Sequence, residues 1–304
     1  MSTFTRAQIE QGVKEGRSFK GADLSQIDLD ECDLSGTDFS NANLQGAILR
    51  NADLSYCNFE SADLSRANMQ EAFMKKADFT GAVLREAELS RARVKSCCFK
   101  NCDLRKIRAE DCEFVSCDLA EVLLDGADLT LSDFTEPVLE RVRALGADFS
   151  LCSIENGIFD HANLKGTDFG GAEIVGCEMT MTRLDGANFR QAKIISTKLV
   201  KAVLCEVTFS ASNLKNVDLS DADLSRATLE VAKVRASQLS RVNLSGASLK
   251  ASYFRDVNLT GANLDGADLL SATFRNVDCS GVDLRLVRNL DKSRGDLRNA
   301  GDAT

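Results

Sequence analysis

Eleven cysteines and one histidine, His161, are the residues of this 304-residue chain whose types suit metal binding or redox chemistry. Because a free cysteine behaves as a small buried hydrophobe, we interpret most of them as replacements for alanine. Eight of them occupy a recurring position that otherwise holds small residues: Cys32, Cys57, Cys97, Cys102, Cys112, Cys117, Cys152 and Cys177. Only Cys98 and Cys205 are expected to point outward. No His/Cys ligand cluster exists, so we predict neither a metal site nor a cofactor.

Carboxylates are the other candidates for chemistry, because Asp and Glu outnumber Lys and Arg by 46 to 37 and give a net charge of −9. Asp128, Asp148 and Asp168 fall twenty residues apart. They have no histidine partner, and the chain has no Gly-rich phosphate loop, so we predict that it is not an enzyme. The negative charge argues against direct binding of nucleic acid. A basic set also recurs every twenty residues: Lys215, Arg235, Arg255 and Arg275.

The element that must position these residues is defined by a period of five. From Phe19 to Leu284, every fifth residue is Leu, Phe, Ile, Val or Met at 51 of 54 positions. Two residues before each of these large residues stands a small one, which is Ala or Cys at 33 of 53 positions. This period fits neither an α-helix nor an ordinary β-strand. Fixed internal periods indicate a solenoid, in which each repeat buries its apolar face on its neighbours.

A second period of twenty gives the cross-section of the solenoid. Phenylalanines recur at this spacing in separate runs and are expected to stack in successive coils within each run. The two longest runs are Phe19, Phe39, Phe59, Phe79 and Phe99, and Phe149, Phe169, Phe189 and Phe209. Four pentapeptides therefore form one coil with four sides. By the same period, Asp128, Asp148 and Asp168 should form an outward column of carboxylates.

These features identify the chain as similar to the pentapeptide-repeat family. Words such as Ala-Asp-Leu-Ser at residues 22–25 and the unbroken period carry the resemblance over about residues 17–286. The resemblance implies an all-β fold, a right-handed quadrilateral parallel β-helix of about 13 coils. For function it implies little beyond the binding of a protein partner.

The two ends of the chain break the period. Residues 1–16 are predicted to be an N-terminal capping helix, with Thr5 as N-cap, Gln8 completing a capping box and Gly16 at the C-terminal end. The repeat then occupies 17–286, and 287–304 is a polar C-terminal tail. The exposed last coil needs cover, either from this tail or from a partner chain. In family members a C-terminal helix often mediates dimerisation, so a homodimer through this end is an expectation from resemblance.

One internal stretch, residues 136–145, fits two interpretations. Pro137 occupies a small inward position, and Ala109 and Ala144 replace large residues nearby. A slightly distorted coil and a ten-residue helical excursion beginning at Pro137 both preserve the period, and we favour the distorted coil.

Apolar residues at outward positions increase between residues 115 and 205, and contiguous exposed apolar area marks interaction surfaces. We predict a protein-interaction scaffold or adaptor whose binding surface combines them with the carboxylates. The candidate surface consists of Asp128, Asp148, Asp168, Leu131, Leu151, Val138, Ile158, Val175 and Ile195. The resemblance to repeat proteins that accompany bacterial type VI secretion and toxin clusters implies a link to such a system.

The alternative is a DNA mimic. Some members of the family bind DNA gyrase or another type II topoisomerase with an acidic rod and protect or inhibit it. The acidic composition agrees with this, whereas the basic column from Lys215 to Arg275 does not. No apolar run approaches the roughly 20 residues of a membrane span, and the N-terminus lacks the apolar stretch of a signal peptide. A cytoplasmic location is therefore expected, with no membrane contact.

Overall fold

The structure is a computed structural model that describes residues 4–298. The chain forms two compact units, Met1–Ser153 and Ile154–Thr304, which we describe separately. In each unit the backbone returns to the same register after twenty residues. Each is a parallel β-solenoid, which confirms the predicted fold class. The sequence contains no sign of the division, because the five-residue period runs through it unbroken.

Each pentapeptide alternates buried and outward residues and then turns a corner. In the first unit, Ala22 and Leu24 bracket one outward residue, Asp23, and Leu24 is fully buried. Leu24 donates its N–H to the carbonyl of Asn43 at 2.7 Å, and Asn43 donates its own to Ala22 at 2.9 Å. The next corner residue, Gln26, has a φ of 58°. Because non-glycine residues in this left-handed region are unfavourable, the ladder bonds on both sides must hold each corner in place.

Four parallel ladders run through the first unit, one for each side of the coil. They begin with the bridged pairs Asp23–Asn43, Asp28–Ile48, Asp33–Asp53 and Asp38–Asn58. One side becomes regular enough to form strands, and eleven of these recur every twenty residues. The coils before the first of these strands are held by isolated bridges instead.

The first unit contains β1 Phe73–Lys75, β2 Arg93–Lys95, β3 Glu113–Val115 and β4 Asp133–Thr135. The strand β5, Ser153–Glu155, lies at the boundary of the units. The second unit contains β6 Glu173–Val175, β7 Lys193–Ile195, β8 Asn213–Lys215, β9 Lys233–Arg235, β10 Tyr253–Asn258, β11 Thr273–Asp278 and β12 Arg294–Arg298.

The helix α1, Arg6–Lys14, lies against the first coil, and its capping box of Thr5 and Gln8 is formed as predicted. Phe4 packs edge-on against Phe19, with ring centroids 5.7 Å apart. Gly12 is buried, and a Cβ atom there would lie 2.6 Å from the ring of Phe19. This close approach is where the helix contacts the solenoid, so α1 covers the first phenylalanine of the core.

Stacked phenylalanines fill the core of each unit. In the first unit the ring centroids of Phe79 and Phe99 are 4.7 Å apart, with an interplanar angle of 2°. Those of Phe114 and Phe134 are 4.8 Å apart, with an angle of 3°. In the second unit Phe189 stacks between Phe169 and Phe209, at 4.8 and 5.0 Å. Within each unit, the twenty-residue stacking predicted from the sequence is confirmed for these rings.

Residues 136–145 continue the solenoid, and the helical excursion is wrong. Val138 bridges to Asp118 and Arg143 bridges to Leu123, in register with the coils before them. Pro137 is buried at the small inward position, where its missing N–H leaves this ladder intact. In the coils around Ala109, a small apolar cavity of about 10 Å³ is lined by Leu89, Phe99, Leu129 and Phe134 among others.

The C-terminal segment also has structure that the sequence did not indicate. A short 3₁₀ helix, Leu290–Lys292, leads into β12, which pairs in parallel with β11. The register shifts between Phe274 and Val277. The described part of the tail therefore pairs with the edge of β11, one of the two kinds of cover that we expected. Residues 299–304 of the predicted tail lie outside the described residues.

Candidate protein-binding surface

The predicted carboxylates hold the corners that follow them. Asp128 and Asp148 of the first unit accept N–H hydrogen bonds from Thr130 at 3.2 Å and Ser150 at 2.8 Å. Asp168 of the second unit accepts one from Gly170 at 2.7 Å. All three side chains are half-buried. A short polar side chain that bonds the backbone two residues on is a typical turn device, so these aspartates are structural before they are available to a partner.

The predicted carboxylate column has two members in the first unit and one in the second, and each unit is described by itself. Asp128 bridges to Asp148 in the first unit, and Arg108 precedes them in the same ladder. In the second unit Asp168 is followed by Asn188, whose amide donates to the carboxylate of Asp168 at 2.8 Å. Basic and amide neighbours therefore interrupt the acidic run at both ends.

Elsewhere, charges of opposite sign stack across coils. Arg66 contacts Glu86 at 2.9 Å in the first unit, and Arg241 contacts Asp221 at 2.6 Å in the second. Two aspartates of the acidic stretch 109–140 are neutralised in this way. Lys100 contacts Asp118 at 2.8 Å, and Arg143 contacts Asp125. Blocks of charge that look uncompensated along the sequence thus pair across the twenty-residue repeat.

Leu131 and Leu151 form the clearest apolar feature of the first unit. They occupy successive positions of one corner, and the N–H of Leu131 bonds to the carbonyl of Ser150 at 3.1 Å. Their exposed fractions are 49% and 59%. Both have a left-handed backbone, with φ of 62° and 60°. A large exposed apolar side chain in this conformation gains nothing from the core and adds backbone strain.

The remaining predicted apolar residues are less exposed. Val138 in the first unit is half-buried, and Ile158 in the second is 39% exposed. Val175 and Ile195 are aligned partners on β6 and β7 and are both half-buried. The structure thus joins Val175 with Ile195 and Leu131 with Leu151, each pair within one unit.

Two surface features were missed by the sequence reasoning. An open groove of about 510 Å³ in the first unit is lined by Glu71, Arg91, Arg93 and Asp111 among others, and the guanidinium of Arg93 lies 5.2 Å from the ring centroid of Phe73. In the second unit Val231 is 57% exposed at a corner with φ of 61°. Its place in the five-residue period would have located it, but we gave no weight to apolar corners outside 115–205.

The cysteines are placed as their positions predicted. The eight at small inward positions and Cys279 are buried, while Cys98 and Cys205 are half-buried. Burial raises the pKa of Cys57, Cys102 and Cys112 to about 12, so these thiols stay protonated at neutral pH. His161 is exposed at a corner. Among residues 4–295, whose side chains the structure describes, no group of three or more His, Cys, Asp or Glu is placed to hold a metal ion.

A sequence profile described as pentapeptide repeats matches most of the chain, over residues 18–106, 112–156, 158–230 and 237–288. This protein belongs to the pentapeptide-repeat family. Comparison with curated proteins gives no match. In the part of the chain that the structure describes, no helix is long and apolar enough to cross a membrane.

Solved structures of other pentapeptide-repeat proteins are similar to this chain. HetL, involved in heterocyst differentiation regulation in the cyanobacterium Nostoc, is 23% identical; the match covers 88% of this chain and 96% of HetL, with a TM-score of 0.33. QnrB1, a plasmid-mediated fluoroquinolone resistance protein, is 20% identical over 64% of this chain and 87% of QnrB1, with a TM-score of 0.36. Because these TM-scores are below 0.5, the family assignment rests on the repeat itself.

Proposed function

We propose that this protein is a non-enzymatic scaffold that binds a protein partner through outward apolar and acidic residues in each unit. In the first unit these are Leu131, Leu151 and Val138 with Asp128 and Asp148. In the second unit they are Ile158, Val175 and Ile195 with Asp168. The observation that carries the proposal is the exposed, left-handed pair Leu131 and Leu151.

This pair is unfavourable for the isolated protein on two counts. A left-handed backbone costs about 1–2 kcal/mol for a residue with a Cβ atom. Exposed leucine side chains also gain none of the burial that stabilises apolar residues. Glycine adopts the same backbone conformation at Gly126 and Gly146, each of which lies five residues before one of the leucines. Non-glycine residues take the same left-handed backbone at corners throughout the fold, so it is the exposed apolar side chains that distinguish this pair.

The surroundings of Leu131 indicate the chemistry of the partner. Leu131 borders an open groove of about 230 Å³ that is also lined by Ser90, Arg91, Glu110 and Asp111. Within this groove Arg91 lies 3.9 Å from Asp111, so Glu110 leaves the lining with one net negative charge. An apolar side chain flanked by lysine or arginine would complement this surface, because complementary charge orients partners and raises the association rate.

The test compares two kinds of exposed corner. The double variant Leu131→Asn/Leu151→Asn removes the apolar pair, and asparagine tolerates a left-handed backbone, so the fold should be retained. The matched control is Tyr56→Asn, because Tyr56 is 54% exposed with φ of 61° at a different corner of the same unit. Each protein is immobilised, and proteins captured from a lysate of the source cells are quantified by mass spectrometry.

We expect at least one captured protein to fall tenfold or more with the double variant and to stay within twofold with Tyr56→Asn. Melting temperatures of the variants, measured in parallel, should not fall below that of the parent. Equal capture by all three proteins would exclude the leucine pair as the docking site.

Imitation of DNA is the alternative function, and the charge arrangement does not favour it. Asp128, Asp148 and Asp168 accept backbone N–H groups and are half-buried. Duplex DNA by contrast exposes charge along its whole length. A supercoiling assay with DNA gyrase, with and without a fluoroquinolone, separates the two functions. We expect no effect of the protein at micromolar concentration. Inhibition that disappears in Asp128→Asn/Asp148→Asn would support the alternative.

A further inference from the structure

The outer face of β8, β9, β10 and β11 in the second unit carries a column of four like charges. Lys215, Arg235, Arg255 and Arg275 are aligned partners on these successive strands. All four side chains are exposed. Lys233 adds a fifth positive charge two residues before Arg235. Adjacent members of the column lie about 4.8 Å apart along the ladder, so they repel one another.

This column is an exception to the charge pairing of the same unit. Elsewhere in this unit opposite charges stack, as in Arg241 with Asp221 at a corner and Lys193 with Glu173 on β7 and β6 of the same sheet. Among residues 4–295, whose side chains the structure describes, Asp256 is the one acidic residue that forms an ion pair with the column, and it contacts Arg255 at 3.1 Å. Like charges directly opposite each other on neighbouring strands are destabilising. The fold itself therefore gives no reason for the column, whereas an anionic partner would.

Two arginines of the column are held in place by an aromatic ring. The guanidinium carbons of Arg235 and Arg275 lie 5.8 and 5.9 Å from the ring centroid of Tyr253, which stands on β10 between their strands. Cation–π contacts of this kind fix the guanidinium planes. A guanidinium fixed at one face still presents N–H groups for two-point binding of a carboxylate. Such ordering before binding reduces the entropy lost on association.

We propose that this face binds the acidic side of an α-helix from a protein partner. Along a helix, residues three and four apart rise by about 4.5 and 6.0 Å. That bracket includes the strand spacing of about 4.8 Å, so four carboxylates at positions i, i+3, i+7 and i+10 match the four basic residues. Same-side residues of an extended strand repeat at about 6.6–6.8 Å and lose the match after one step.

Two further observations favour a helix over a nucleic acid. The ring of Tyr253 already contacts Arg235 and Arg275, so it is not a free platform for stacking a base. Val231, which is 57% exposed with a left-handed backbone, precedes Lys233 by two residues at the adjoining corner. An apolar contact beside a basic column suits the border between the acidic and apolar sides of an amphipathic helix. The helix α1 of a second copy does not fit, because it carries Arg6 and Lys14 with a single Glu10.

The test uses synthetic probes and the full chain. The first probe is an 18-residue Ala-rich helix with Glu at i, i+3, i+7 and i+10 and Leu on the adjoining side. The second probe is identical except that a central Ala is replaced by Pro, which breaks the helix. The third is a 20-nucleotide single strand. Binding is measured by fluorescence anisotropy at 50 and 200 mM salt.

The binding variant is Arg235→Gln/Arg275→Gln, and the control with equal change of charge is Arg226→Gln/Arg241→Gln, because these arginines pair with Glu206 and Asp221. We expect the helical probe to bind the parent with a micromolar dissociation constant. Its affinity for the binding variant should be at least tenfold lower, and its affinity for the control should be within twofold of that for the parent. Tyr253→Ala, which leaves the charge unchanged, should weaken binding about threefold to tenfold by freeing the two arginines.

The proposal would be overturned by no binding of the helical probe, by equal binding of the broken helix, or by tighter binding of the oligonucleotide. It would also be overturned if the control variant lost as much affinity as the binding variant. Melting curves of every variant exclude a general loss of fold as the cause. The result is independent of the capture experiment at Leu131 and Leu151, which concerns the other unit.

Discussion

The aspartate or asparagine that precedes many of the large core residues shapes the corner that follows it. Asp168 accepts the N–H of Gly170 at 2.7 Å and the amide of Asn188 at 2.8 Å. Asn188 accepts the N–H of Arg190 at 3.0 Å with its own oxygen. Asp and Asn therefore serve the same backbone contact, which explains why both recur at this position. The charge of an aspartate can be removed without removing its contact with the corner.

This equivalence gives a prediction for Asp168. Replacement by Ala removes two hydrogen bonds and should lower the free energy of unfolding by about 1–2 kcal/mol. Replacement by Asn keeps the backbone contact and should change it by less than about 0.5 kcal/mol. Urea unfolding of the two variants decides the matter, and equal losses would show that the hydrogen bond to Gly170 does not stabilise the corner.

The cysteines allow a second prediction at the same scale. Burial raises the pKa of Cys97 and Cys152 to about 12, and the other inward thiols are similarly enclosed. Since the thiolate is the reactive form, these residues should not react in the native protein. A chromogenic disulfide reagent at pH 8 should label at most two thiols, Cys98 and Cys205, before unfolding. Cys98→Ser/Cys205→Ser should abolish this fast phase, and its persistence would show that inward thiols are accessible.

At the scale of elements, the coil near Ala109 has less apolar volume than its neighbours. Leu89 and Leu129 stand in the same column one coil before and one coil after Ala109, and both line the small cavity. The pentapeptide backbone does not collapse around the smaller side chain, because ladder hydrogen bonds on both sides fix the coil spacing. Ala109 donates its N–H to the carbonyl of Asp128 at 2.8 Å.

A larger side chain at Ala109 should be tolerated better than the same substitution at a small inward position of the same unit. Because the cavity holds about one water molecule and leucine adds three carbons, we expect Ala109→Leu to lower the free energy of unfolding by less than about 1 kcal/mol. The matched control is Ala67→Leu at a buried small inward position of the same unit. There the added atoms overpack the coil and should cost about 1–3 kcal/mol. Thermal unfolding of both variants provides the measurement, and destabilisation by Ala109→Leu as large as the control's would contradict the interpretation.

Much of the element level could be predicted, because the five-residue period reports directly on which side chains are buried. The phenylalanine stacks and the inward cysteines follow from the repeat spacing. The position of α1 follows from its capping residues. The pairing of β12 with β11 could not be predicted, since the tail has no period and the register shifts at Phe274. The corner role of Asp168 was missed for a different reason: periodicity says that a side chain is outward but not which backbone group it contacts.

At the scale of the whole molecule, the repeat converts sequence distance into spatial pairing. Residues twenty apart are neighbours within each unit, so an acidic stretch followed by a basic one forms ion pairs such as Arg66–Glu86. Surface charge therefore cannot be read from local composition. Two surface features are not explained by this pairing. One is the exposed pair Leu131 and Leu151 of the first unit, and the other is the basic column from Lys215 to Arg275 of the second. Both are unfavourable for the isolated chain, which is why we regard them as binding surfaces.

The corner aspartates also determine how the protein responds to acid. Hydrogen bonds from the side chain and then the backbone of Ser35 lower the pKa of Asp33, and those from Ser40, led by its backbone N–H, lower that of Asp38. A bond from the side chain of Asn289 lowers the pKa of Asp268 in the second unit. A carboxyl whose pKa is lower in the folded chain than in the unfolded chain stabilises the fold above the unfolded value, about 3.9 for Asp. That contribution is lost as the pH falls through the folded pKa.

We therefore expect the free energy of unfolding to be insensitive to these groups between pH 6 and 8 and to fall progressively below about pH 5. The variant Asp33→Asn/Asp38→Asn keeps an oxygen that can accept the N–H groups of Ser35 and Ser40 but removes the titration. Its stability should be close to that of the parent at pH 7 and should fall less steeply between pH 5 and 3. Urea unfolding at five pH values measures both slopes. Identical slopes would show that the titration of these two corner carboxylates does not control the loss of stability in acid.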